Sequence, residues 1–525
     1  MSSTRLGLAI AEALVAAGIE EVVVCPGSRS TAITIGLASL AEQGRLRLHT
    51  RTDERVAGFL ALGLARARGS SAVVVTSGTA VGNLMPAVME AKLAGVPLVV
   101  VTADRPATLV GSGSNQTTEQ AGLFGRHVVA DLHLASTDDD PARWLAGLGR
   151  VLTAARGLRT RDPGPAHVNA ALSEPFLGGP GLPAPVQPLR VSASRPAEPV
   201  TLAAGPRTVV LAGDAPPQVG RRAREVAEQA GLPLLAEPSS NARAGRCAVA
   251  RYRNLLDTEL GARIERVLIY GHPTLSRPVT RLLSRDQVEL VAVTDRATWP
   301  DPGGRVRQVH DDVTLEPVGD GWLDDWLAAD VRQVTAAAPA GLSRQAGLIT
   351  GPWLAAEVVT SATGNLVFGC SNPIRDADLA PIRDSPPVCW ANRGLAGMDG
   401  VISTATGIML GTGEPTTVLL GDLTFLHDLG GLHVPVGQPV PNLRVVVADD
   451  DGGSIFRTLE VADSHWFEGL FAMPHGRLLA PLASGFGWAT RTVDDPDEVR
   501  AQLARPVNGV EVLVVPVDPG RSAVR

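Results

Sequence analysis

Acidic residues followed by glycines mark two places in this chain that could bind a divalent cation. Asp422 comes directly after an apolar strand, in Gly421-Asp422-Leu423-Thr424. A second strand runs into Asp449-Asp450-Asp451-Gly452-Gly453. Carboxylate and carbonyl oxygens bind Mg²⁺, and glycine lets the backbone approach a phosphate closely. A single Asp at a strand end is usually a turn former, so it is the pair of strand ends that indicates a metal and diphosphate site.

Glu54 is a third acidic candidate, far from the other two along the chain. It stands in the first turn of a predicted helix, after the predicted strand 46–50. The helix dipole alone favours a carboxylate there, so this position does not by itself indicate a function. In an open α/β sheet, however, ligands bind beyond the carboxyl ends of the strands. We therefore expect Glu54 and Asp422 to bind the two ends of one cofactor.

Ser77-Gly78-Thr79-Ala80 joins a predicted strand to a predicted helix. A turn of small residues at a helix N-terminus can hold an anion, and it can equally be only a tight turn. It is not a Walker loop, because no Gly-Lys-Ser/Thr follows, and no strand–helix junction carries the Rossmann glycine triplet. The missing triplet argues against a flavin or nicotinamide enzyme.

Four arginines lie on loops just past predicted strands: Arg29, Arg105, Arg375 and Arg393. A single surface arginine is normally solvated. Four in the same topological position, at the carboxyl edges of sheets, suggest a pocket for carboxylates. Lys92 is the only lysine of the chain, so anions must be bound by arginine, whose planar fork suits a carboxylate.

The composition and the pattern of the 525 residues predict an α/β protein. Apolar residues make up 45% and charged residues 19%, as in globular domains, and the length suits two to four of them. Short β-branched runs such as 72–76 and 97–102 alternate with helical segments such as 79–94, which predicts doubly wound parallel sheets. Two stretches rich in Ala, Pro and Gly, 178–200 and 335–351, mark boundaries. We predict three α/β domains, at 1–185, 205–335 and 350–525.

Several classes of function are argued against by charge and composition. The net charge of −7 predicts no surface for nucleic acid. No apolar run reaches the length of a membrane span, and the N-terminus has no signal-peptide core. The four cysteines show no metal-ligand spacing and are expected to be reduced thiols. We expect a cytoplasmic enzyme with neither nucleic-acid nor membrane partners.

Taken together, these segments resemble the thiamine-diphosphate-dependent enzymes. Among them the chain is most similar to the 2-succinyl-5-enolpyruvyl-6-hydroxy-3-cyclohexene-1-carboxylate (SEPHCHC) synthase family, MenD. The resemblance spans nearly the whole chain and is looser in the central domain and the C-terminal tail. The matching motifs are Cys25-Pro-Gly-Ser-Arg-Ser-Thr31, Thr52-Asp-Glu-Arg55, Thr76-Ser-Gly-Thr-Ala-Val-Gly-Asn83, Thr102-Ala-Asp-Arg-Pro106, Ser114-Asn-Gln116, Ser371-Asn-Pro-Ile-Arg375, Asn392-Arg-Gly394, Gly421-Asp-Leu-Thr-Phe-Leu-His-Asp428 and Asp451-Gly-Gly-Ser-Ile-Phe456.

The resemblance implies thiamine diphosphate as cofactor, with Mg²⁺ or Mn²⁺ on its diphosphate. It implies a pyrimidine-binding first domain, a central linker domain and a diphosphate-binding last domain. Glu54 would bond the aminopyrimidine ring, and Asp422, Asp450 and the carbonyl of Gly452 would hold the metal ion. The run of three aspartates leaves open whether Asp449 or Asp450 is the second ligand. The other implied cofactor-binding residues are Ser77, Gly78, Gly421, Leu423, Ile455 and Phe456.

The resemblance also implies the substrates, 2-oxoglutarate and isochorismate. 2-Oxoglutarate would lose CO₂ on the cofactor, and the succinyl-semialdehyde carbanion would add to isochorismate, giving SEPHCHC for menaquinone biosynthesis. Glu54, Arg29 and Arg393 are the implied catalytic residues. The implied substrate residues are Ser28, Arg29, Arg105, Asn115, Gln116, Ser371, Arg375 and Arg393, with Arg277 from the central domain and an apolar wall of Ile455, Phe456 and Leu459 that excludes water.

Two alternatives remain beside this interpretation. Another thiamine-diphosphate carboligase or 2-oxoacid decarboxylase, such as an acetolactate synthase, would need fewer arginines because its substrates carry less charge. A non-catalytic paralogue would be expected to lack Glu54 or Asp422, and both are present. In this superfamily the active site is built between subunits, so we expect a homodimer or homotetramer with shared sites.

Overall fold

The structure is a computed structural model, and it describes residues 2–178, 187, 189–317, 319, 321–341 and 349–520. Parts of the two predicted boundary stretches, 178–200 and 335–351, therefore lie outside the described residues. The chain forms two compact units. One consists of Met1–Ser194, Gly394–Gly413 and Asp428–Pro441, and the other of Arg195–Arg393, Glu414–His427 and Asn442–Arg525.

The first unit contains a six-stranded sheet in the order β2-β1-β3-β4-β6-β5, with all neighbouring strands parallel. Alternate residues of β1 enter two apolar cores, since Val22 and Val24 pack with α1, α2 and α6 whereas Val23 packs with α3 and α5. Helices thus cover both faces of the sheet. The strands are β1 Glu21–Val24, β2 Arg47–Thr50, β3 Ser71–Val75, β4 Leu98–Asp104, β5 Ala130–Ala135 and β6 Ala166–Ala171; the helices are α1 Ser2–Ala16, α2 Thr31–Glu42, α3 Glu54–Arg68, α4 Thr79–Gly82, α5 Met85–Ala94 and α6 Pro141–Ala155.

The helix expected over 79–94 is divided into α4 and α5. Pro86 stands in the first turn of α5, and proline is accepted there but cannot donate the backbone hydrogen bond that a continuous helix needs. The break falls between Gly82 and Met85. As a result, Asn83 lies in a turn and not within a helix.

The second unit contains two larger sheets. The first has five parallel strands in the order β12-β11-β10-β8-β9. The strands that precede and follow these five in the sequence, β7 and β13, pair with each other in a separate two-stranded parallel sheet. The elements of this part of the chain are β7 Val200–Leu202, β8 Thr208–Ala212, α7 Pro217–Ala230, β9 Leu234–Ala236, α8 Tyr252–Leu255, α9 Glu259–Ala262, β10 Arg266–Tyr270, α10 Arg277–Leu283, β11 Glu289–Val293, β12 Gln308–His310, β13 Val313–Leu315 and α11 Trp322–Gly341. Helix α11 enters the stretch 335–351 that was predicted to be a boundary, because that stretch begins with helix-favouring alanines.

The other sheet of the second unit has six parallel strands in the order β15-β14-β16-β17-β19-β18. Its strands are β14 Asn365–Phe368, β15 Val388–Ala391, β16 Thr416–Gly421, β17 Leu443–Asp449, β18 Ala489–Thr492 and β19 Val510–Pro516; the helices of this part of the chain are α12 Gly351–Ser361, α13 Asn372–Ala377, α14 Val401–Thr412, α15 Asp422–His427, α16 Leu479–Ser484 and α17 Pro496–Leu503. Two 3₁₀ turns, Ser454–Thr458 and Glu460–Asp463, and a π turn, Glu468–Ala472, follow β17.

Helix α14 belongs to the first unit, where it packs against α3. The two helices touch backbone to backbone. A Cβ atom on Gly63 would lie 2.1 Å from the carbonyl oxygen of Thr404, and one on Gly407 would lie 2.2 Å from that of Leu60. Only glycine permits this approach, and the helix that begins with Glu54 is thereby fixed along its length.

The predicted α/β class with parallel sheets is confirmed. Each of the three larger sheets lies within one of the three predicted domains, while the domain boundaries themselves stay a prediction. No helix among the described residues is long and apolar enough to cross a membrane.

Candidate active site

Asp422 is the first residue of α15 and follows the carboxyl end of β16. Only 2% of its surface is exposed. Its Oδ1 accepts a hydrogen bond from the backbone N–H of Leu423 at 2.6 Å, and its Oδ2 accepts one from that of Gly452 at 2.7 Å. Burial raises the pKa of Asp422 to about 6, although these two N–H groups act in the opposite direction. A buried carboxylate with this pKa is poised to gain from a cation.

Asp450 lies on the loop after β17 and is a second, half-buried acid at this edge. Burial raises its pKa to about 7, and the charge of Asp422 adds to the effect. The hydroxyl of Ser454 donates to Asp450 and partly offsets the rise. Carboxylates whose pKa values are raised by burial and by a neighbouring negative charge favour a divalent cation beside them.

Gly452 is held in place by close backbone packing. Its φ is +138°, and a Cβ atom there would lie 2.2 Å from the carbonyl oxygen of Ala472. Any side chain would therefore clash with the π turn, so this position requires glycine. The tight packing fixes the loop that carries Asp450.

His475 also lies at this site, although the sequence patterns did not single it out. Its Nε2 is 3.2 Å from Oδ2 of Asp422 and 3.5 Å from Oδ1 of Asp449. Its Nδ1 accepts a hydrogen bond from the backbone N–H of Arg477 at 2.9 Å, so in the neutral ring the proton is on Nε2 and points to Asp422. Asp422, Asp449 and His475 offer atoms within 4.8 Å of one another. The one sequence signal for His475 was its position in Pro474-His475-Gly476, and it lies 53 residues after Asp422.

Glu54 begins α3, and Asp53 caps the helix by accepting from the backbone N–H groups of Arg55 and Val56. The carboxylate of Glu54 accepts a hydrogen bond from Nδ2 of Asn83 at 3.2 Å. Its charge contributes, after burial, to raising the pKa of Cys25 to about 12. Cys25 directly follows β1, and Asn83 lies between α4 and α5, the helices after β3. Glu54 thus lies near the carboxyl edge of the sheet, as expected for a ligand site.

The turn at Ser77 and Gly78 is joined to the loop 105–120 by several hydrogen bonds. The hydroxyl of Ser77 accepts from Arg105 and donates to the carbonyl of Gln116. The Gln116 amide donates back to the carbonyl of Ser77 at 2.9 Å, and the backbone N–H of Gly78 donates to Oε1 of Gln120 at 2.9 Å. The structure therefore brings together four of the residues predicted from the sequence: Ser77, Gly78, Arg105 and Gln116.

Two of the predicted arginines have a pKa that is lowered partly by the charge of a second predicted arginine. In the first unit, burial lowers the pKa of Arg29, and the charge of Arg105 lowers it further. In the second unit, burial lowers the pKa of Arg375, and the charge of Arg393 lowers it further. Within the described part of the chain none of these four arginines forms an ion pair. Each pair is a place where a carboxylate would relieve the repulsion of two like charges.

The remaining residues that were predicted to bind substrate lie on loops, at a helix start or in the predicted apolar wall. Ser28 and Asn115 are exposed on loops, and Arg277 is exposed at the start of α10. Ser371 has a φ of +71° and accepts, through its carbonyl, a hydrogen bond from Arg375 at 2.8 Å. In the predicted apolar wall Ile455, Phe456 and Leu459 are half-buried, and Phe456 packs edge to face on Phe471.

The fold resembles that of a solved decarboxylase structure. The structure of benzoylformate decarboxylase from Polynucleobacter necessarius matches over 98% of this chain and 99% of its own, with a TM-score of 0.72 and 15% sequence identity. At this identity the likeness shows the fold alone. In addition, residues 4–123 match the family described as thiamine pyrophosphate enzyme, N-terminal TPP binding domain.

Curated relatives carry the comparison further. A SEPHCHC synthase of Kineococcus radiotolerans is 48% identical over 97% of this chain and 95% of its own length. Those of Nocardioides sp. and Rhodococcus erythropolis are 46% and 39% identical, over 98% and 100% of this chain and 94% and 98% of their own. The family that the motifs predicted is thereby confirmed: the chain belongs to the 2-succinyl-5-enolpyruvyl-6-hydroxy-3-cyclohexene-1-carboxylate synthase family.

Proposed function

We propose that this chain catalyses the reaction for which its relatives are named. It removes CO₂ from 2-oxoglutarate by breaking the C1–C2 bond and joins the former C2 to the ring of isochorismate, which gives SEPHCHC for menaquinone biosynthesis. The observation that carries this proposal is the set of four arginines, Arg29, Arg105, Arg375 and Arg393, which form no ion pair within the described residues. Both substrates are dicarboxylates. Hydrogen bonds from arginine to a carboxylate are charge-assisted and therefore stronger than hydrogen bonds between neutral groups.

The donor set at the end of β16 fits Mg²⁺ or Mn²⁺ bound to a diphosphate. The carboxylates of the buried Asp422 and the half-buried Asp450 are hard oxygen donors, and the carbonyl of Gly452 would complete the protein ligands. Asp449 and His475 lie close enough to be alternatives. We assign Asp450 by the family resemblance, and the raised pKa of Asp450, caused by burial and by the charge of Asp422, supports a cation there.

Thiamine diphosphate, when bound, supplies the nucleophilic carbon and accepts the electron pair released by decarboxylation. The chain supplies binding, orientation and proton control. Glu54 would hydrogen-bond the aminopyrimidine ring, and Ser77, Gly78, Gly421 and Leu423 would contact the cofactor. Because such a carboxylate can share a proton with the ring, the site needs no separate protein base for the cofactor.

Substrate binding falls to the arginines and their neighbours. Arg29 and Arg393 would bind and orient carboxylates, with Arg105 and Arg375 beside them. Further polar contacts to the substrates are proposed for Ser28, Asn115, Gln116, Ser371 and Arg277. Ile455, Phe456 and Leu459 would exclude water from the reacting carbon.

The proposed assembly is a homodimer or homotetramer in which Glu54 of one chain serves Asp422 and Asp450 of its partner. The support is the resemblance to a superfamily whose active sites lie between subunits. Two sites would then exist in each two-fold dimer.

An assay with purified protein tests the proposed function. The reaction contains 2-oxoglutarate, isochorismate, thiamine diphosphate and Mg²⁺, and the product is identified by mass. Pyruvate in place of 2-oxoglutarate is the control, since an acetolactate-type enzyme would prefer it. Turnover of pyruvate without turnover of 2-oxoglutarate would replace the proposal with that alternative.

A further inference from the structure

The segment 237–243 follows β9 in the five-stranded sheet. It forms hydrogen bonds with β15, which precedes Arg393, and with the residues that follow α13, the helix that contains Arg375. It contains three side chains with long-range hydrogen bonds: Glu237, Asn241 and Arg243. None of them was among the residues predicted from motifs. Their contacts lead to Arg375 and Arg393 by separate routes.

Asn241 binds the strand that leads to Arg393. Its φ of +57° is one that asparagine tolerates better than most residues. Its Oδ1 accepts from the backbone N–H of Cys389 at 2.8 Å, and its Nδ2 donates to the Cys389 carbonyl at 2.9 Å. Because β15 is the edge strand of its sheet, the Asn241 amide takes the place of a further strand there. Arg393 comes two residues after this strand ends.

Glu237 acts on Arg393 through Thr274 and Leu275. Glu237 is 1% exposed, and its Oε1 accepts from the backbone N–H of Leu275 at 2.9 Å. Leu275 is itself buried in the apolar core of the six-stranded sheet of this unit. Its neighbour Thr274 accepts a hydrogen bond through Oγ1 from the guanidinium of Arg393 at 2.7 Å. Arg393 is 3% exposed, and its Nε has no hydrogen-bond partner among the described residues, so Thr274 is its fixed contact.

Arg243 binds the end of the helix that carries Arg375. Its guanidinium donates to the carbonyls of Asp378 and Ala380 at 2.9 and 2.7 Å. These carbonyls follow α13 directly, and Arg375 lies within α13. The segment that follows α13 is thereby fixed to the loop after β9 of the five-stranded sheet.

We propose that Glu237, Asn241 and Arg243, together with Thr274, are positioning residues that hold Arg375 and Arg393 at the spacing a substrate carboxylate needs. The five-stranded sheet would thus set the affinity for a dicarboxylate although its segment 237–243 need not touch the substrate. A displacement of about 1 Å in a binding group can cost about 100-fold in rate, so a support of this kind is functionally significant. The inference rests on the proposed function, which gives Arg375 and Arg393 their substrate.

The decisive variants are Thr274→Val and its conservative control Thr274→Ser. Thr274 is exposed, so the fold is expected to tolerate valine, which keeps the shape and removes only the hydroxyl. We expect KM for at least one of the two dicarboxylates to rise about tenfold, with kcat, the Kd of thiamine diphosphate and Tm close to wild type. This is within the range of one hydrogen bond to a charged group. Thr274→Ser is expected to restore the wild-type KM.

Asn241→Gly tests the second route, since glycine keeps the backbone conformation and removes the amide. It is expected to raise the same KM. Unchanged KM values in both Thr274→Val and Asn241→Gly would overturn the inference, as would a Thr274→Ser variant as impaired as Thr274→Val. If wild-type protein does not turn over the two substrates, the proposed function fails instead. Calorimetric titration with 2-oxoglutarate then still compares wild type and Thr274→Val.

Discussion

The backbone N–H of Gly452 donates to Oδ2 of Asp422 at 2.7 Å, which ties the loop after β17 to the end of β16. Asp422 therefore has two roles, as an acceptor that organises the loop and as a proposed metal ligand. These roles make different demands on the side chain. The hydrogen bond needs only an oxygen, whereas tight binding of the metal ion also depends on the negative charge of the carboxylate.

Asp422→Asn is expected to separate the two roles. The amide oxygen can still accept from Gly452, but Mg²⁺-dependent binding of thiamine diphosphate should be lost. At pH 8 the cofactor-free variant should be more stable than wild type by about 1–3 kcal/mol. The pKa of Asp422 is raised to about 6, so its ionisation opposes folding above that pH, and the effect disappears as the pH falls toward 4. Thermal unfolding at pH 8 and pH 4.5 measures this. A variant less stable than wild type at both values would contradict it, and Asp422→Ala, which removes the acceptor, is the control.

Asp450→Ala and Asp449→Ala distinguish the two candidates for the second metal ligand. Removing a charged oxygen from the strict coordination of Mg²⁺ should abolish metal-dependent cofactor binding. We expect this for Asp450→Ala, while Asp449→Ala retains binding. Titration calorimetry with thiamine diphosphate and Mg²⁺ gives the result. The reverse outcome would move the ligand by one residue, to the group formed with His475.

Glu54→Gln should leave the fold intact and lower turnover by about 10²–10⁴-fold, the usual range for losing a positioned proton-transfer partner. Glutamine can still accept the 3.2 Å hydrogen bond from Asn83, so the start of α3 should not change. Steady-state turnover and circular dichroism are the measurements. A folded variant with wild-type turnover would refute the assignment of Glu54 to the cofactor.

Arg29→Ala and Arg393→Ala should each weaken use of the dicarboxylates by about 1.5–3 kcal/mol in kcat/KM, the scale of a charge-assisted hydrogen bond. Cofactor affinity should hardly change. Arg281→Ala is a matched control, because Arg281 is exposed and paired with Asp257. Wild-type kcat/KM for both substrates in both variants would mean that these arginines are not substrate ligands.

Local sequence patterns predicted central strands such as β3, because runs such as Val73–Val75 are apolar throughout and buried on both faces. The central strands β6 and β11 were not predicted, although both are largely buried. The edge strands β5 and β18 were not predicted. Their sequences, Ala-Asp-Leu-His-Leu-Ala and Ala-Thr-Arg-Thr, are mixed and only partly buried, since an edge strand is covered less than a central one. Contacts between residues far apart in the sequence could not be predicted either. Nothing near Thr274 or Glu237 in the sequence indicates that they support Arg393, 119 residues after Thr274.

The shared site can be tested by mixing two inactive variants, Glu54→Ala and Asp450→Ala, under conditions that unfold and reassemble the chains. If Glu54 of one chain serves Asp450 of its partner, one site of a mixed dimer carries both substitutions and the other carries neither. Random mixing makes about half of the dimers mixed, so about a quarter of wild-type activity should return by this symmetry argument. If both residues instead served a site within one chain, every site would keep one lesion. Each variant reassembled alone is the control. Proven subunit exchange, shown by native mass spectrometry, without recovered activity would exclude a site shared between subunits.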